Sequence, residues 1–283
     1  MELRHLITLK TIVEKGGFKK AAEHLGYAQS SVTNHIKELE QEIGKPLFDR
    51  LGKKVVLTYY GHHFLPYAVK IIDLYSQALN TNDEPAGELT IGISESLTIG
   101  RIPSILLEYK KLYPKVNLSL KSIDNYNVVS NLQNGDIDLA LILEKDDWTL
   151  PELQCEKLKR EKMVLISPLE QENTKTVLYT ERSCSYKSVF DHYINFKQMD
   201  VKESLDFQSI EAIKQCVRSG LGISLVPYFS VKEELESNKL IGEEVAPEHP
   251  AISTFLAYHK DKWLSPSINS IITLIKGHAK KWD

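Results

Sequence analysis

Residues Phe18 to Gly44 read FKKAAEHLGYAQSSVTNHIKELEQEIG, and the way this stretch divides decides how the N-terminal part of the chain folds. Phe18, Ala21, Ala22 and Leu25 recur at i, i+3, i+4 and i+7, which lays one apolar stripe along a short helix that Gly26 ends. From Gln29 the period resumes, with Val32, Ile36, Leu39 and Ile43 on one face and Ser30, Thr33, Asn34 and Lys37 on another. The second face is the unusual one. A solvated helix face normally carries Glu, Lys and Arg, as Glu38 to Glu42 begin to do here. Hydroxyl and amide side chains are mediocre helix formers. They do, however, exchange hydrogen bonds with base edges and phosphates when a helix end enters the major groove. The same periodicity also fits a three-helix bundle with a polar outer face.

The flanking residues extend the pattern on both sides. Leu6, Leu9, Ile12 and Val13 make an earlier amphipathic helix that stops at Gly16-Gly17, so three short helices precede residue 45. After Lys45-Pro46, the runs Leu47-Phe48-Asp49-Arg50 and Val55-Val56-Leu57-Thr58 flank Gly52 as a hairpin. Arg50, Lys53 and Lys54 cluster at its tip, within reach of phosphates or a minor groove. From Tyr59 a helix follows in which Phe64, Ala68, Ile71, Tyr75 and Ala78 form a heptad seam, widened by Leu65, Val69, Ile72 and Leu79. So broad an apolar face calls for a partner, and dimerisation through this helix is the expectation. Asn80 to Gly87 reads as a polar linker and a domain boundary.

Charge follows the same division. The 283 residues carry a net −3, but residues 1–58 hold ten Lys/Arg against seven Asp/Glu, a net +3, and the remainder is −6. The N-terminal piece is therefore the candidate polyanion surface. Met1-Glu2-Leu3 begins no signal peptide and no apolar run approaches a membrane span, so a cytoplasmic protein without membrane contact is expected. Three scattered cysteines, Cys155, Cys184 and Cys216, form no Cys-x-x-Cys pair, and the histidines show no metal-ligand spacing, so neither a metal nor a cofactor is expected.

Beyond residue 87 strands and helices alternate. Leu89, Ile91 and Ile93, then Val116, Leu118 and Leu120, read as strands around a helix opened by Pro103, and Ile137 to Ile142 is a buried strand after Gly135. This order implies a mostly parallel sheet. A second run of the same kind has strands at Met163 to Ile166, Val177 to Tyr179 and Leu221 to Pro227, with helices over Ser183 to Phe196 and Ser209 to Ser219. A last helix runs from Ser265 to Trp282. In open α/β sheets ligands bind beyond the carboxyl ends of strands. Ser94 and Ser96 follow the first strand, Thr180 follows Tyr179, and Ser209 starts a helix. Singly these are helix caps. As a set they outline a cleft for a small anion. No catalytic constellation is present: Cys184 beside Arg182 is a thiol candidate with no nearby His, and Gly220-Leu221-Gly222 lacks the rest of a dinucleotide fingerprint.

Phe18, Ala21-Ala22, Leu25, Gln29 to Thr33, Ile36, Leu39-Glu40, Gly44, Leu47-Phe48, Arg50, and Leu57-Thr58 with Gly61 resemble the winged helix-turn-helix of LysR-type transcriptional regulators across residues 1–61. Gly135 to Ala140 and Gly220 to Ile223 with Pro227 resemble the family's effector subdomains. The resemblance implies an α/β protein with a winged helix-turn-helix over 1–58 and a linker helix and hinge over 59–87. It further implies a two-subdomain effector domain like type 2 periplasmic binding proteins, with subdomain I over 88–161 and 263–283 and subdomain II over 162–262. It implies a sequence-specific, effector-controlled transcription regulator, not an enzyme. Its partners would be double-stranded operator DNA, a small-molecule effector, RNA polymerase, and further copies of itself in a homodimer or homotetramer. By position, Gln29, Ser30, Ser31, Thr33, Asn34 and Lys37 would contact DNA, with Arg50 and Lys53 on the wing, while Ser94, Ser96, Thr180 and Ser209 would contact the effector. Ala28 stands where the family usually has a capping Ser or Thr, and Thr33 and Asn34 replace a more frequent Ser and a basic residue. A solute-binding protein and a thiol sensor built on Cys184 are the competing readings.

Overall fold

The computed structural model describes residues 1–51, 54–79, 84–170, 175–180, 185–246 and 249–283, with only the backbone of Arg50, Leu51 and Lys54. The chain divides into two compact units. One comprises Met1–Glu84, Ser130–Asp138 and Asp261–Ser265, the other Pro85–Val129, Leu139–Lys260 and Pro266–Asp283.

In the first unit α1 (Leu3–Lys15), α2 (Phe18–Leu25) and α3 (Gln29–Ile43) are followed by the antiparallel pair β1 (Phe48–Leu51) and β2 (Lys54–Leu57), then α4 (Tyr59–Leu79). The apolar stripes meet in one hydrocarbon core, where Leu6, Leu9, Ile12, Ala21, Val32, Ile36, Leu39, Leu47, Leu65 and Ala68 are buried. Gly26 adopts φ 70, a left-handed turn that lets α2 end and α3 begin within three residues. The apolar face of α4 is divided. Leu65, Ala68 and Val69 pack into this core, while Tyr67, Ile71, Leu74, Tyr75 and Leu79 are exposed. Part of the partner that the broad apolar face calls for is thus within the chain, since the first half of α4 lies against α1.

The second unit contains a five-stranded sheet in the order β4-β3-β5-β12-β6, built from β3 (Gly87–Ile93), β4 (Val116–Ser122), β5 (Leu139–Lys145), β6 (Leu153–Glu161) and β12 (Ile252–His259). A three-stranded sheet runs β10-β7-β11, from β7 (Met163–Ser167), β10 (Ser224–Pro227) and β11 (Ile241–Glu244). The parallel pair β8 (Thr176–Tyr179) and β9 (Glu203–Asp206) adjoins it through the Val177–Ile223 bridge. The remaining helices are α5 (Glu95–Gly100), α6 (Ile102–Leu112), α7 (Val128–Gln133, most of which belongs to the first unit), α8 (Lys187–Phe196), α9 (Ile210–Arg218), α10 (Lys232–Glu236) and α11 (Pro266–Ala279).

Three expectations are corrected. The first sheet is mixed rather than mostly parallel: β3 runs parallel to β4 and β5, whereas β12 is antiparallel to both β5 and β6. The chain leaves this sheet at Glu161 and re-enters at Ile252, which pairs with Glu161, so β12 has to run back against its neighbours. For the same reason the return crossing precedes Ile252 and does not lie near 262. Helix α8 also begins later than Ser183, at Lys187, and the hairpin tip at Gly52 and the first half of the polar linker (residues 80–83) lie outside the described residues.

Candidate nucleic-acid interface and ligand cleft

Helix α3 is held from one side only. Val32, Ile36 and Leu39 are fully buried, and the opposite face presents Gln29, Ser30, Asn34 and Lys37 to solvent, with Ser31 and Thr33 half-buried. The Thr33 hydroxyl donates to the Gln29 carbonyl at 2.9 Å, which leaves its lone pairs outward. Ala28 contributes no side-chain cap to α3, although its carbonyl accepts from Ser31 N at 3.0 Å and Val32 N at 3.2 Å. On the flank His35 Nδ1 lies 3.0 Å from Thr8 Oγ1, and its ring packs against His5 and edge-on to Tyr27. Burial, then the neighbouring His5, holds the His35 pKa below its ordinary value, and the imidazole ties α3 to α1. Nothing in the helical periodicity marks that contact.

The hairpin is fixed to the ends of two helices. The Glu40 carboxylate accepts from Leu47 N at 2.7 Å and Phe48 N at 3.3 Å. Thr58 Oγ1 donates to the Pro46 carbonyl and accepts from Gly61 N at the start of α4. A Cβ on Gly61 would fall 2.2 Å from the Leu47 carbonyl oxygen, which explains the Leu57-Thr58-x-x-Gly61 pattern. The side chains of Arg50 and Lys53 lie outside the described residues.

In the second unit a small cavity of about 90 Å³ opens at the carboxyl ends of β3, β4 and β8. Ser94, Ser96 and Thr180 line it, together with Glu95, Ser122, Asn125 and Gln208. Ser94 Oγ and Thr180 Oγ1 are buried with no hydrogen-bond partner among the described residues. An orphaned buried hydroxyl costs about 1–3 kcal/mol, a debt that a polar ligand relieves. Ser96 is committed differently, 3.3 Å from the Tyr186 hydroxyl. Ser209 lies outside this lining: its Oγ accepts from Ala212 N, so it is the cap of α9. Glu95, Asn125 and Tyr186 were not singled out in the sequence, although Asn125 follows a strand end by the same rule that found Ser94.

Beside α5 a buried pair joins three elements. Arg101 Nη2 donates to Glu161 Oε2 at 2.7 Å, and Thr254 Oγ1 donates to Glu161 Oε1 at 2.6 Å. The guanidinium lies between the rings of Phe229 and Trp282, 4.4 and 4.8 Å from their centroids. The pair marks the last residue of β6 and the strand that returns beside it. Among the described residues no cluster of three or more metal-ligating side chains occurs, and no helix is long and apolar enough to cross a membrane. Cys184 lies outside the described residues, and burial pushes the Cys155 thiol up, away from thiolate reactivity.

Two family models cover the chain. "Bacterial regulatory helix-turn-helix protein, lysR family" matches residues 3–62 and "LysR substrate binding domain" matches residues 82–280. The chain belongs to the LysR family. It is a LysR-type transcriptional regulator, with a DNA-binding helix-turn-helix and an effector-binding domain, and not an enzyme. It is 38% identical over 292 residues to the HTH-type transcriptional regulator YwqM of Bacillus subtilis (strain 168), with 98% of this chain and 99% of the relative covered. Full-length OxyR of Pseudomonas aeruginosa shares the fold at TM-score 0.79 and 17% identity, covering 99% and 95% of the two chains. LysG of Corynebacterium glutamicum, solved with bound effector Arg, does so at TM-score 0.66 and 18% identity, covering 99% of each. Membership of the LysR family removes the solute-binding reading.

Proposed function

We propose that this LysR-type regulator reads operator DNA with Gln29, Ser30, Ser31, Thr33, Asn34 and Lys37, with Arg50 and Lys53 of the hairpin on adjacent phosphates or the minor groove. The observation that carries this reading is the outward face of α3, where short polar side chains stand exposed directly behind a fully buried Val32, Ile36 and Leu39. The effector is a small molecule held by Ser94 and Thr180 in the cavity, with Ser96 acting through Tyr186 and Ser209 shaping α9. The exposed Tyr67, Ile71, Leu74, Tyr75 and Leu79 of α4 form a surface for a second copy, and pairs of dimers give the homotetramer that meets RNA polymerase in the cytoplasm. We assign the DNA-binding domain to 1–58 and the linker helix to 59–87. Subdomain I takes 88–161 and 252–283, and subdomain II takes the residues between. Effector control requires that the ligand bind one quaternary state more tightly than the other.

Fluorescence anisotropy on the regulator's own promoter fragment tests the DNA contacts. Lys37→Ala weakens binding to every operator variant about equally and lowers the salt slope by about one unit. Thr33→Ala instead reorders the preference among variants. Equal loss on every variant for Thr33→Ala would refute its part in readout.

A further inference from the structure

The expectation of an anion in the cleft rested on helix N-termini that face it. One of these is already filled. Glu95 reaches from the start of α5 to the N-terminus of α9, where its Oε2 accepts from Ile210 N at 3.1 Å, and Ser209 caps the same turn at Ala212 N. The end of a helix favours one negative charge. Here the protein supplies it from its own side chain, and a ligand carboxylate brought to that point would meet Glu95 rather than free N–H groups.

The described side chains of the cavity offer several acceptors beside the hydroxyls and the Gln208 amide, and one of them is charged. Glu95 Oε2 is committed to Ile210 N, and among the described residues no hydrogen bond reaches Oε1. Asn125 Nδ2 faces the Leu143 carbonyl at 2.9 Å, Glu144 Oε1 at 2.8 Å and Ser185 Oγ at 2.6 Å. A carbonyl and a carboxylate can only accept, so the amide orientation is settled and Oδ1 is left as an acceptor. The orphaned hydroxyls of Ser94 and Thr180 accept equally well. Neither Lys nor Arg occurs among the described lining residues. An ammonium group brings three donors and one positive charge, which matches a carboxylate oxygen, an amide oxygen and a hydroxyl.

We propose that the cleft takes an effector carrying a protonated amine, and that Glu95 sets this preference by occupying the α9 N-terminus with one oxygen and meeting the amine with the other. This rests on the cavity being the effector site. The test titrates the purified full chain by calorimetry and thermal unfolding with ethanolamine, putrescine and L-lysine as amine probes and with acetate and succinate as acid probes. At least one amine probe binds the wild type and raises its unfolding midpoint, and the acids do not. Glu95→Gln keeps an acceptor for Ile210 N and so keeps the fold, but weakens amine binding by about tenfold or more. Glu95→Ala frees the helix end and brings measurable succinate binding. The proposal is overturned if no amine probe binds, if an acid binds the wild type as tightly as the best amine, or if Glu95→Gln leaves amine binding unchanged. Ser122→Trp fills the cavity. Amine binding that survives it moves the effector site elsewhere, whereas acid binding to the wild type that Ser122→Trp abolishes keeps the site and removes the charge preference.

Discussion

The helical unit and the sheet unit both bury a hydrocarbon core, but the sheet unit adds a directional lock at its crossing. In the first, Leu6, Leu9, Ile12, Val32, Ile36 and Leu39 form a core of hydrocarbon, which is non-directional and tolerant of small shifts. In the second, a buried ion pair, Arg101–Glu161, is clamped by Thr254 and two aromatic rings at the place where the chain crosses between its sheets. Ion pairs of this kind contribute little net stability, but they fix geometry and are costly to leave half-made. A reader of DNA needs a helix on a firm bed. A ligand-responsive domain benefits from a pivot with one defined arrangement.

The sharpest way to break this comparison is at the pivot. Arg101→Ala strands Glu161 among apolar groups and should cost about 3–5 kcal/mol in urea unfolding followed by Trp148 and Trp282 fluorescence, whereas Arg101→Met with Glu161→Met should recover most of that loss. A penalty for the double variant as large as for the single one would mean that packing on Phe229 and Trp282, not the charge pair, holds the crossing. On the helical side Ala28→Ser supplies the missing cap of α3 and should raise stability by about 0.5–1 kcal/mol, read as a shift of the denaturation midpoint. The smallest effect is in pH. Because the folded state holds the His35 pKa below 6.5, the unfolded chain takes the proton more readily. Stability from this contact is present above that value and declines as pH falls through it. His35→Asn should flatten the dependence of the urea midpoint between about pH 8 and about pH 5. An unchanged slope would assign it to other groups.

Much of the helical unit was legible because its determinants are local. Apolar stripes at helical spacing, a glycine after each helix and the hairpin flanks all lie within a few residues of the structure they specify. The second unit hid what depends on distant pairing. Strand β12 could not be placed in the first sheet without knowing that residue 252 returns beside residue 161, and the Glu95–Ile210 bond joins positions 115 apart in sequence. The anion expectation followed correctly from helix N-termini. The Glu95 carboxylate that reaches across to the N-terminus of α9 is not visible in the sequence. Ser209 shows the converse: the commonplace cap reading describes its hydroxyl. Ser94 and Thr180, equally ordinary in sequence, carry buried hydroxyls without partners among the described residues.

The contact of Gly61 with the Leu47 carbonyl has a mechanical meaning. With Thr58 bonded to both Pro46 and Gly61, the hairpin and the first turn of α4 move as one rigid piece. The 21 residues of α4 then act as a lever about 31 Å long. A tilt of about five degrees at one end of such an arm carries the other end through about 3 Å, close to the spacing of successive base pairs.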